Sequence, residues 1–390
     1  MKYIDEFREP QKAKALIREI HRLAEQLSHG QTRPIRLMEF CGGHTHTIFR
    51  YGIEPMLPDS IELIHGPGCP VCILPRDRVD ACIALAQRPE VIFTTFGDAM
   101  RVPGSEKSLL QAKAEGADIR MVYSPLDALT LARKHPNREV IFFALGFETT
   151  MPSTALTVLQ ARAENIGNFS LFCNHVTTIP TLKTLLDSED FEIDGFIAPG
   201  HVSMVIGERP FDIVANRYQK PIVITGFEPL DILQSLWMLL KQFHEGRAAV
   251  ENQYTRVVSE QGNPTGLKAM AEVFEANVHA ALRGLGMIQN SGVRIREKYA
   301  AFDAERKFPL AVLKPVSEEP HQCADVLKGV LHPWQCPLFG RQCTPETPQG
   351  ALMVSSEGAC AAFYNFGRRE KIDRREKTVQ PSISLMGKAS

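Results

Sequence analysis

Thiol and imidazole side chains are concentrated in two short loops near the start of the chain. The first loop, Cys-Gly-Gly-His-Thr-His at 41–46, begins with Cys41, and the second, Gly-Pro-Gly-Cys-Pro-Val-Cys at 66–72, ends in a Cys-x-x-Cys pair. Two thiols at that spacing close a small disulfide or bind one metal ion. The glycines next to the thiols allow tight turns and leave room for a ligand. The two loops therefore predict a site for metal binding or redox chemistry.

Five residues are the main candidates for this site: Cys41, Cys69, Cys72, His44 and Glu148. A lone histidine is more often a packed or capping residue, but the neighbouring thiol favours a functional role for His44. Glu148 follows an apolar run, where a carboxylate can accept a proton, orient a ligand or cap a helix. Other histidines near the loops and strand ends have candidate supporting roles: His46, His65, His175 and His201.

A second set of cysteines lies near the C-terminal end, in a segment rich in proline and glycine. The set comprises Cys323, Cys336, Cys343 and Cys360, with gaps of 12, 6 and 16 residues. Four cysteines in an irregular segment indicate a metal centre that organises the fold. The gaps match neither the ferredoxin spacings nor paired Cys-x-x-Cys zinc sites. Spacing alone therefore leaves an iron–sulfur cluster, a zinc ion and no metal as open alternatives.

Apolar runs typical of strands alternate with helical periods from residue 35 to residue 229. Many of these runs are continuous rather than alternating, which indicates parallel sheets covered by helices on both faces. The candidate residues in the two loops and Glu148 directly follow strands, and ligands bind beyond the carboxyl ends of such strands. After residue 229 two apolar helices are expected, at 231–243 and 267–282, followed by an irregular region.

The pattern predicts an α/β protein with two tandem Rossmann-like parallel-sheet domains and a third, irregular and helical domain. The chain of 390 residues is too long for one ordinary core. The expected α/β domains are 31–125 and 126–228. Residues 1–30 and 229–367 are assigned to the third domain, and 368–390 to a disordered tail.

Composition and charge exclude several classes of function. A net charge of −1 gives no general attraction to nucleic acid or to an anionic membrane. The apolar runs are too short to span a membrane, and the charged residues 1–10 do not resemble a signal peptide. We therefore expect a cytoplasmic protein. Thiols stay reduced in that compartment, so clustered cysteines act there as metal ligands or redox groups.

Several longer motifs resemble those of a known family. They are Thr-Phe-Gly-Asp-Ala-Met-Arg-Val-Pro-Gly at 95–104, Gly-Phe-Glu-Thr-Thr at 146–150, Ala-Pro-Gly-His-Val-Ser at 198–203, Val-Glu-Asn-Gln-Tyr at 250–254, Cys-Pro-Leu-Phe-Gly at 336–340 and Met-Val-Ser-Ser-Glu-Gly-Ala-Cys at 353–360. Together with the two cysteine loops, they resemble the HypD family of hydrogenase maturation proteins. The resemblance covers residues 1 to about 367.

The resemblance implies a role in building the iron centre of NiFe-hydrogenases, in which the iron carries two cyanides and one carbon monoxide. It implies a stable complex with HypC, a transient encounter with the cyanide donor HypE, and an indirect link to the hydrogenase large subunit. It assigns iron handling to the thiols of Cys41, Cys69 and Cys72. It also implies a 4Fe–4S cluster on the four C-terminal cysteines, Cys323, Cys336, Cys343 and Cys360.

The leading hypothesis is a redox-active assembly scaffold rather than a turnover enzyme. Cys41 would ligate or position the iron, Cys69 and Cys72 would supply redox equivalents, and His44 and Glu148 would assist by hydrogen bonding or proton transfer. One alternative is an iron–sulfur-dependent dithiol/disulfide oxidoreductase with an external substrate. Another is a zinc-stabilised interaction protein without redox chemistry.

Overall fold

Parallel strands form two separate sheets in the computed structural model, which describes residues 5–30, 32–188, 191–310 and 322–367. The strands are β1 (Ile35–Glu39), β2 (Ile61–His65), β3 (Val91–Thr95), β4 (Ile119–Met121), β5 (Glu139–Gly146), β6 (Phe169–His175), β7 (Gly195–Pro199), β8 (Ile222–Thr225), β9 (Val250–Asn252), β10 (Phe274–Leu282) and β11 (Gly286–Ile295). The expected tail 368–390 lies outside the described residues.

Helices occupy most of the segments between the strands. They are α1 (Pro10–Ser28), α2 (Gly42–Arg50), α3 (Arg76–Ala86), α4 (Leu109–Ala114), α5 (Pro125–Lys134), α6 (Met151–Ala163), α7 (Thr178–Leu186), α8 (Gly200–Ile206), α9 (Asp212–Asn216), α10 (Pro229–His244), α11 (Pro264–Val273), α12 (Ala304–Lys307), α13 (Cys323–Leu327) and α14 (Ala359–Phe366). In the part of the chain that the structure describes, none of these helices has the length and apolar character needed to cross a membrane.

The first sheet has the strand order β2-β1-β7-β8-β9, and all its neighbouring strands are parallel. Helices α1, α2 and α10 cover one face, and α7 and α9 cover the other. This double cover explains why the strands are continuous apolar runs, such as Ile222–Thr225, which is buried throughout. Because β1 lies between β2 and β7, the chain reverses its direction of winding between β1 and β7.

The second sheet has the order β4-β3-β5-β6 and is also parallel. Helices α5, α6 and α11 pack on one face. The other face packs against α3 and α4 and against the C-terminal segment that carries the four cysteines. This face therefore joins the second sheet to the Cys-x-x-Cys loop and the C-terminal cysteines in one continuous buried core.

The expected α/β class with two parallel sheets is confirmed. The sheets are not built from consecutive ranges of the chain, however, because β1 and β2 share a sheet with β7, β8 and β9. The expected boundary between 31–125 and 126–228 consequently falls inside the second sheet. Residues 229–252 were expected in the third domain. Instead, helix α10 packs against the first sheet, and strand β9 pairs with β8 at its edge. Apolar periodicity locates strands but does not specify their partners, which long-range packing decides.

The expectation of a single helix over 267–282 is wrong. Helix α11 ends at Val273, and β10 follows it and pairs antiparallel with β11. Apolar residues at 274, 278 and 282 are four apart, which fits a helical period. The hairpin is favoured by Gly284 and Gly286, whose φ angles of +81° and +76° allow the tight turn after β10.

The C-terminal segment is irregular, as expected, with short helical turns at Pro333–Gln335 and Ala351–Met353 between α13 and α14. Its core is aromatic: the Phe363 ring lies 4.6 Å from the Trp334 ring and 5.8 Å from the Phe339 ring, centre to centre. The four cysteines of this segment are all buried in the same core. The segment thus positions its thiols through side-chain packing rather than through long regular elements.

Candidate functional site

Cys41 and His201 meet where the first sheet reverses its winding. Cys41 directly precedes α2 after β1, and His201 is the second residue of α8, directly after β7. Because β1 and β7 are parallel neighbours, the loops beyond their carboxyl ends lie side by side. Cys41 Sγ lies 3.6 Å from Nδ1 and 3.9 Å from Nε2 of His201. A thiol and an imidazole this close can exchange a proton or bind one metal ion together.

The Cys41 thiol is buried, and its environment keeps it protonated. The backbone N–H of Cys41 donates a hydrogen bond of 2.8 Å to Oε2 of Glu39. Burial raises the pKa of the Cys41 thiol well above its usual value, and the negative charge of Glu39 adds to this effect. The thiol therefore stays neutral at pH 7 until a cation binds, and binding then releases its proton.

Glu39 is a fully buried carboxylate that joins the two thiol loops. Its Oε1 accepts a hydrogen bond from the hydroxyl of Thr45 and lies 2.7 Å from Nδ1 of His65. These contacts connect β1, α2 and β2 at the base of the site. Glu39 was not among the sequence candidates, although a carboxylate inside an apolar strand is a usable signal because buried charges need partners.

Phe227 packs against both histidines of the site. Its ring centre lies 4.9 Å from that of His44 and 5.1 Å from that of His201. Burial lowers the pKa of His44, and burial lowers the pKa of His201 to about 4. Both imidazoles are therefore neutral at pH 7, so each keeps one nitrogen able to accept a hydrogen bond or bind a metal. The contact with the Cys41 thiol is made by His201, which the sequence placed in a supporting role.

The Cys-x-x-Cys loop lies directly against the backbone of Cys41. The N–H of Gly66 donates to the carbonyl of Glu39 at 2.8 Å, and a β-carbon on Gly68 would overlap the backbone between Phe40 and Cys41. Only glycine at position 68 allows so close an approach. The structure thus brings together the two loops that the sequence singled out.

Cys69 and Cys72 form a disulfide in this structure, with their Cα atoms 5.3 Å apart. Both residues are buried, and Cys72 faces the C-terminal segment. A β-carbon added to Gly358 would lie 3.1 Å from Cys72 Sγ, and Gly358 is two residues before Cys360. The disulfide therefore lies between the Cys41 loop and the second cysteine set.

The four C-terminal thiols are buried and electrostatically coupled. Burial raises the pKa of Cys323 to about 12, while the positive charge of Arg283 opposes the rise. Burial also raises the pKa of Cys360 well above its usual value, and the charges of the other three cysteines, Cys323 foremost, add to it. Within the described ranges, no three Cys, His, Asp or Glu side chains converge as ligands of a single metal ion.

Two further carboxylates reach this region from the second sheet and the C-terminal segment. Asp98 accepts a 2.7 Å hydrogen bond from the hydroxyl of Ser355. Glu357 packs against Gly42 at the start of α2, where a β-carbon would overlap its side chain. Burial raises the pKa of Glu357, and the negative charges of Asp98 and Glu39 add to this effect. Glu357 was not among the sequence candidates, because only the fold brings it next to the Cys41 loop.

Glu148 follows β5 in the chain, and its side chain contacts Thr178, the first residue of α7. Its Oε1 accepts from the backbone N–H of Thr178 at 2.8 Å, and its Oε2 accepts from the hydroxyl of Thr178 at 2.6 Å. These contacts are those of a helix cap, the alternative that the sequence left open. Burial raises the pKa of Glu148, although both hydrogen bonds oppose the rise. Its predicted role in proton transfer stays a prediction.

Comparison with known proteins decides the family. A model of the HypD family, described as "Hydrogenase formation hypA family", matches residues 11–367. The chain belongs to the HypD family. It is 58% identical over 371 residues to the hydrogenase maturation factor HypD of Rhodobacter capsulatus, with 94% of this chain and 98% of that protein covered.

Other HypD proteins are similar over the same extent. The hydrogenase maturation factor HypD of Escherichia coli K12 is 53% identical over 370 residues, covering 95% of this chain and 99% of the relative. That of Rhizobium leguminosarum bv. viciae is 51% identical over 380 residues, covering 95% and 97%. The resemblance to the HypD family drawn from the motifs is therefore confirmed, and the family match includes both thiol loops and all four C-terminal cysteines.

Proposed function

We propose that this chain is a hydrogenase maturation factor that holds iron while an Fe(CN)2(CO) unit is assembled on it. The observation that carries the proposal is the contact of 3.6 Å between Cys41 Sγ and His201 Nδ1, beside the Cys69–Cys72 disulfide. The named relatives, as hydrogenase maturation factors, support the same role. The iron is the cargo of this site and not its permanent cofactor.

Cys41 is the proposed attachment point of the iron. Cyanide and carbon monoxide make iron soft, and thiolate is a suitable ligand for a soft metal. Because the Cys41 thiol is protonated when empty, binding of the cation must expel one proton. His201 lies in contact with the sulfur and is neutral, so its imidazole can accept a hydrogen bond from the thiol, while the expelled proton passes to solvent. His44 and Phe227 fix the position of His201 by ring packing.

Cys69 and Cys72 are the proposed redox pair. When two thiols close to a disulfide they release two electrons and two protons, and opening the disulfide takes up the same number. The pair lies between the Cys41 loop and the C-terminal cysteines, since Gly68 touches the backbone of Cys41 and Gly358 lies against Cys72. This position suits a relay of electrons between the two ends of the site.

The C-terminal cysteines suit a 4Fe–4S cluster. In such a cluster each thiolate binds a different iron, so the four sulfurs need not converge on one atom. The four buried thiols share one apolar core, and a positive charge from Arg283 acts on Cys323. Cys323, Cys336, Cys343 and Cys360 would hold the cluster. When bound it would supply single electrons, and the chain's own residues would exclude water from it.

The partners complete the proposal. HypC would bind over the opening near Cys41, where the half-buried rings of His201 and Phe227 reach the surface. HypE would deliver cyanide there, and the hydrogenase large subunit would receive the finished unit from the complex. The expected location of this chemistry is the cytoplasm, where the thiols can be kept reduced.

A disulfide beside four buried cysteines also favours a second candidate, an oxidoreductase for an external dithiol or disulfide. The two candidates differ in turnover. An oxidoreductase without bound iron cargo reduces many equivalents of a disulfide or dye per chain. A scaffold instead completes one cycle for each iron that it carries.

Complementation of a bacterial strain that lacks its own HypD protein tests the proposal. The wild-type chain and a Cys82→Ala variant are expected to restore hydrogenase activity, because Cys82 is a buried core residue of α3. A Cys41→Ala variant is expected to fold, with an unchanged circular dichroism melt, but to restore none. Normal hydrogenase activity in the Cys41→Ala strain would contradict the proposal.

A further inference from the structure

The motif Val-Glu-Asn-Gln-Tyr at 250–254 has no role in the chemistry proposed so far. Its first three residues form β9, the edge strand of the first sheet, which pairs parallel with β8. Gln253 and Tyr254 therefore lie beyond the carboxyl ends of these two strands. The loop 226–228 follows β8 at the same edge. The last two residues of the motif consequently border the loop that carries Phe227.

The ring of Tyr254 lies between two loops of the candidate site. A β-carbon added to Gly200 would lie 2.6 Å from Cδ1 of this ring, and one added to Gly226 would lie 2.7 Å from Cδ2. These two atoms are on opposite edges of the ring, and only glycine lets both backbones approach so closely. Gly200 directly precedes His201, and Gly226 directly precedes Phe227. The ring therefore sets the separation of the loops that carry these two side chains.

Gln253 holds the loop 226–228 by hydrogen bonds. Its Oε1 accepts from the backbone N–H of Gly226 at 3.2 Å, and its Nε2 donates to Oδ1 of Asp231 at 2.8 Å. Asp231 is fully buried, and its Oδ2 accepts from the backbone N–H of Glu228 at 3.2 Å. The backbone is thus held on both sides of Phe227.

Arg256 fixes the face of the Tyr254 ring. Its guanidinium carbon lies 4.4 Å from the ring centre. The same guanidinium donates to both carboxylate oxygens of Asp231, at 2.9 Å and 2.6 Å. A bidentate pair of this kind is strong and directional, and a cation over an aromatic face is attractive. The ring is therefore held at its face as well as at its two edges.

Phe227 connects this arrangement to the iron-binding pair. Its ring centre lies 6.2 Å from that of Tyr254, with the two rings almost perpendicular, and 5.1 Å from that of His201. His201 in turn contacts the sulfur of Cys41. The orientation of the imidazole towards the sulfur therefore depends on where the two loops are held.

We propose that Tyr254 is a positioning residue, whose ring keeps the loops of His201 and Phe227 at the separation that directs the His201 imidazole towards Cys41. This inference rests on the proposed function, because the contact directed in this way is the one assigned to iron. Removing a group that orients a metal ligand typically weakens metal binding about 10- to 100-fold. Tyr254 acts through the two loops and not on the iron itself.

The test compares Tyr254→Ala, which removes the ring, with Tyr254→Phe, which keeps the ring and removes only the hydroxyl. Tyr123→Ala is the matched control, since Tyr123 is 85% exposed. The 12 histidines of the full-length protein are labelled with nitrogen-15, and the imidazole signals of His201 are identified by their absence from the spectrum of His201→Gln. The affinity of the complex with HypC for ferrous iron is measured separately under anaerobic conditions.

We expect Tyr254→Ala to shift or double the imidazole signals of His201 and to weaken the binding of ferrous iron about tenfold. Tyr254→Phe and Tyr123→Ala are expected to match the wild type in both measurements. Unchanged His201 signals in folded Tyr254→Ala would overturn the positioning role. An equal displacement in Tyr254→Phe would also contradict it, because the hydroxyl and not the ring would then be required.

Tyr254→Leu decides the case in which Tyr254→Ala does not fold, since leucine keeps apolar bulk but lacks the two flat edges. Displaced His201 signals in this variant support the proposal, and wild-type signals overturn it. A wild-type complex that binds no ferrous iron would overturn the proposed function, while the imidazole signals would still decide the role of Tyr254.

Discussion

Cys41 Sγ lies 3.6 Å from Nδ1 of His201, although 160 residues separate the two in the chain. The pair exists because β1 and β7 are neighbours in the first sheet and their following loops share one edge. In the proposed function this pair holds the iron after the thiol has released its proton. Its chemistry therefore depends on His201 as much as on Cys41.

A His201→Ala variant is expected to bind iron about 10- to 100-fold more weakly than the wild type. The imidazole that contacts the sulfur is lost, while the partly exposed position lets the fold persist. Iron per chain, measured after anaerobic loading of the complex with HypC, checks this expectation. His244→Ala, at the exposed end of α10, serves as the control. Equal iron content in the His201→Ala and control proteins would refute the role of His201.

Gly68→Ala is expected to reduce hydrogenase maturation by up to about 100-fold, because small displacements of reacting groups are costly. The added β-carbon overlaps the backbone between Phe40 and Cys41 and must push the two thiol loops apart. Gly167→Ala is the matched control, since no atom lies within 4 Å of its added carbon. Hydrogenase activity in the complemented strain is the measurement. Similar activities for both variants would show that the spacing of the loops is unimportant.

Stability is expected to fall as the pH drops from 6.5 to 4, and His175 contributes to this fall. Burial lowers the pKa of His175 from 6.5 to about 4, so the folded state holds the ring neutral while the unfolded chain binds a proton below pH 6.5. The contribution is complete above pH 6.5 and is lost progressively towards pH 4, at a total of about 3 kcal/mol.

A His175→Asn variant removes this titration. Its free energy of unfolding, measured with urea at several pH values, should vary less between pH 6.5 and 4 than that of the wild type. The exposed His21→Asn variant should keep the wild-type dependence. A His175→Asn curve parallel to the wild-type curve would show that His175 is not held neutral.

Much of the site could be predicted from the sequence because parallel strands leave a clear local signal. The apolar runs ending before Cys41 and Gly66 marked both loops, and adjacent strand ends meet at one edge of a sheet. The four C-terminal cysteines were also visible from their type and their irregular surroundings. These inferences needed only short-range patterns.

The rest depends on which strands become neighbours. His201 reaches Cys41 only because β7 pairs with β1, and no periodicity in the sequence encodes that choice. Glu357 and Arg283 reach the site from the C-terminal segment and from a hairpin turn. The hairpin itself was missed because its apolar residues fit a helical period equally well.

Infrared spectroscopy of the complex with HypC tests the central claim most directly. If Cys41 holds the iron, the wild-type complex should show cyanide and carbonyl stretching bands. The Cys41→Ala complex should show none, while still binding HypC and keeping its iron–sulfur signal. A Cys41→Ala complex with bands of wild-type intensity would contradict the assignment of the iron to this site.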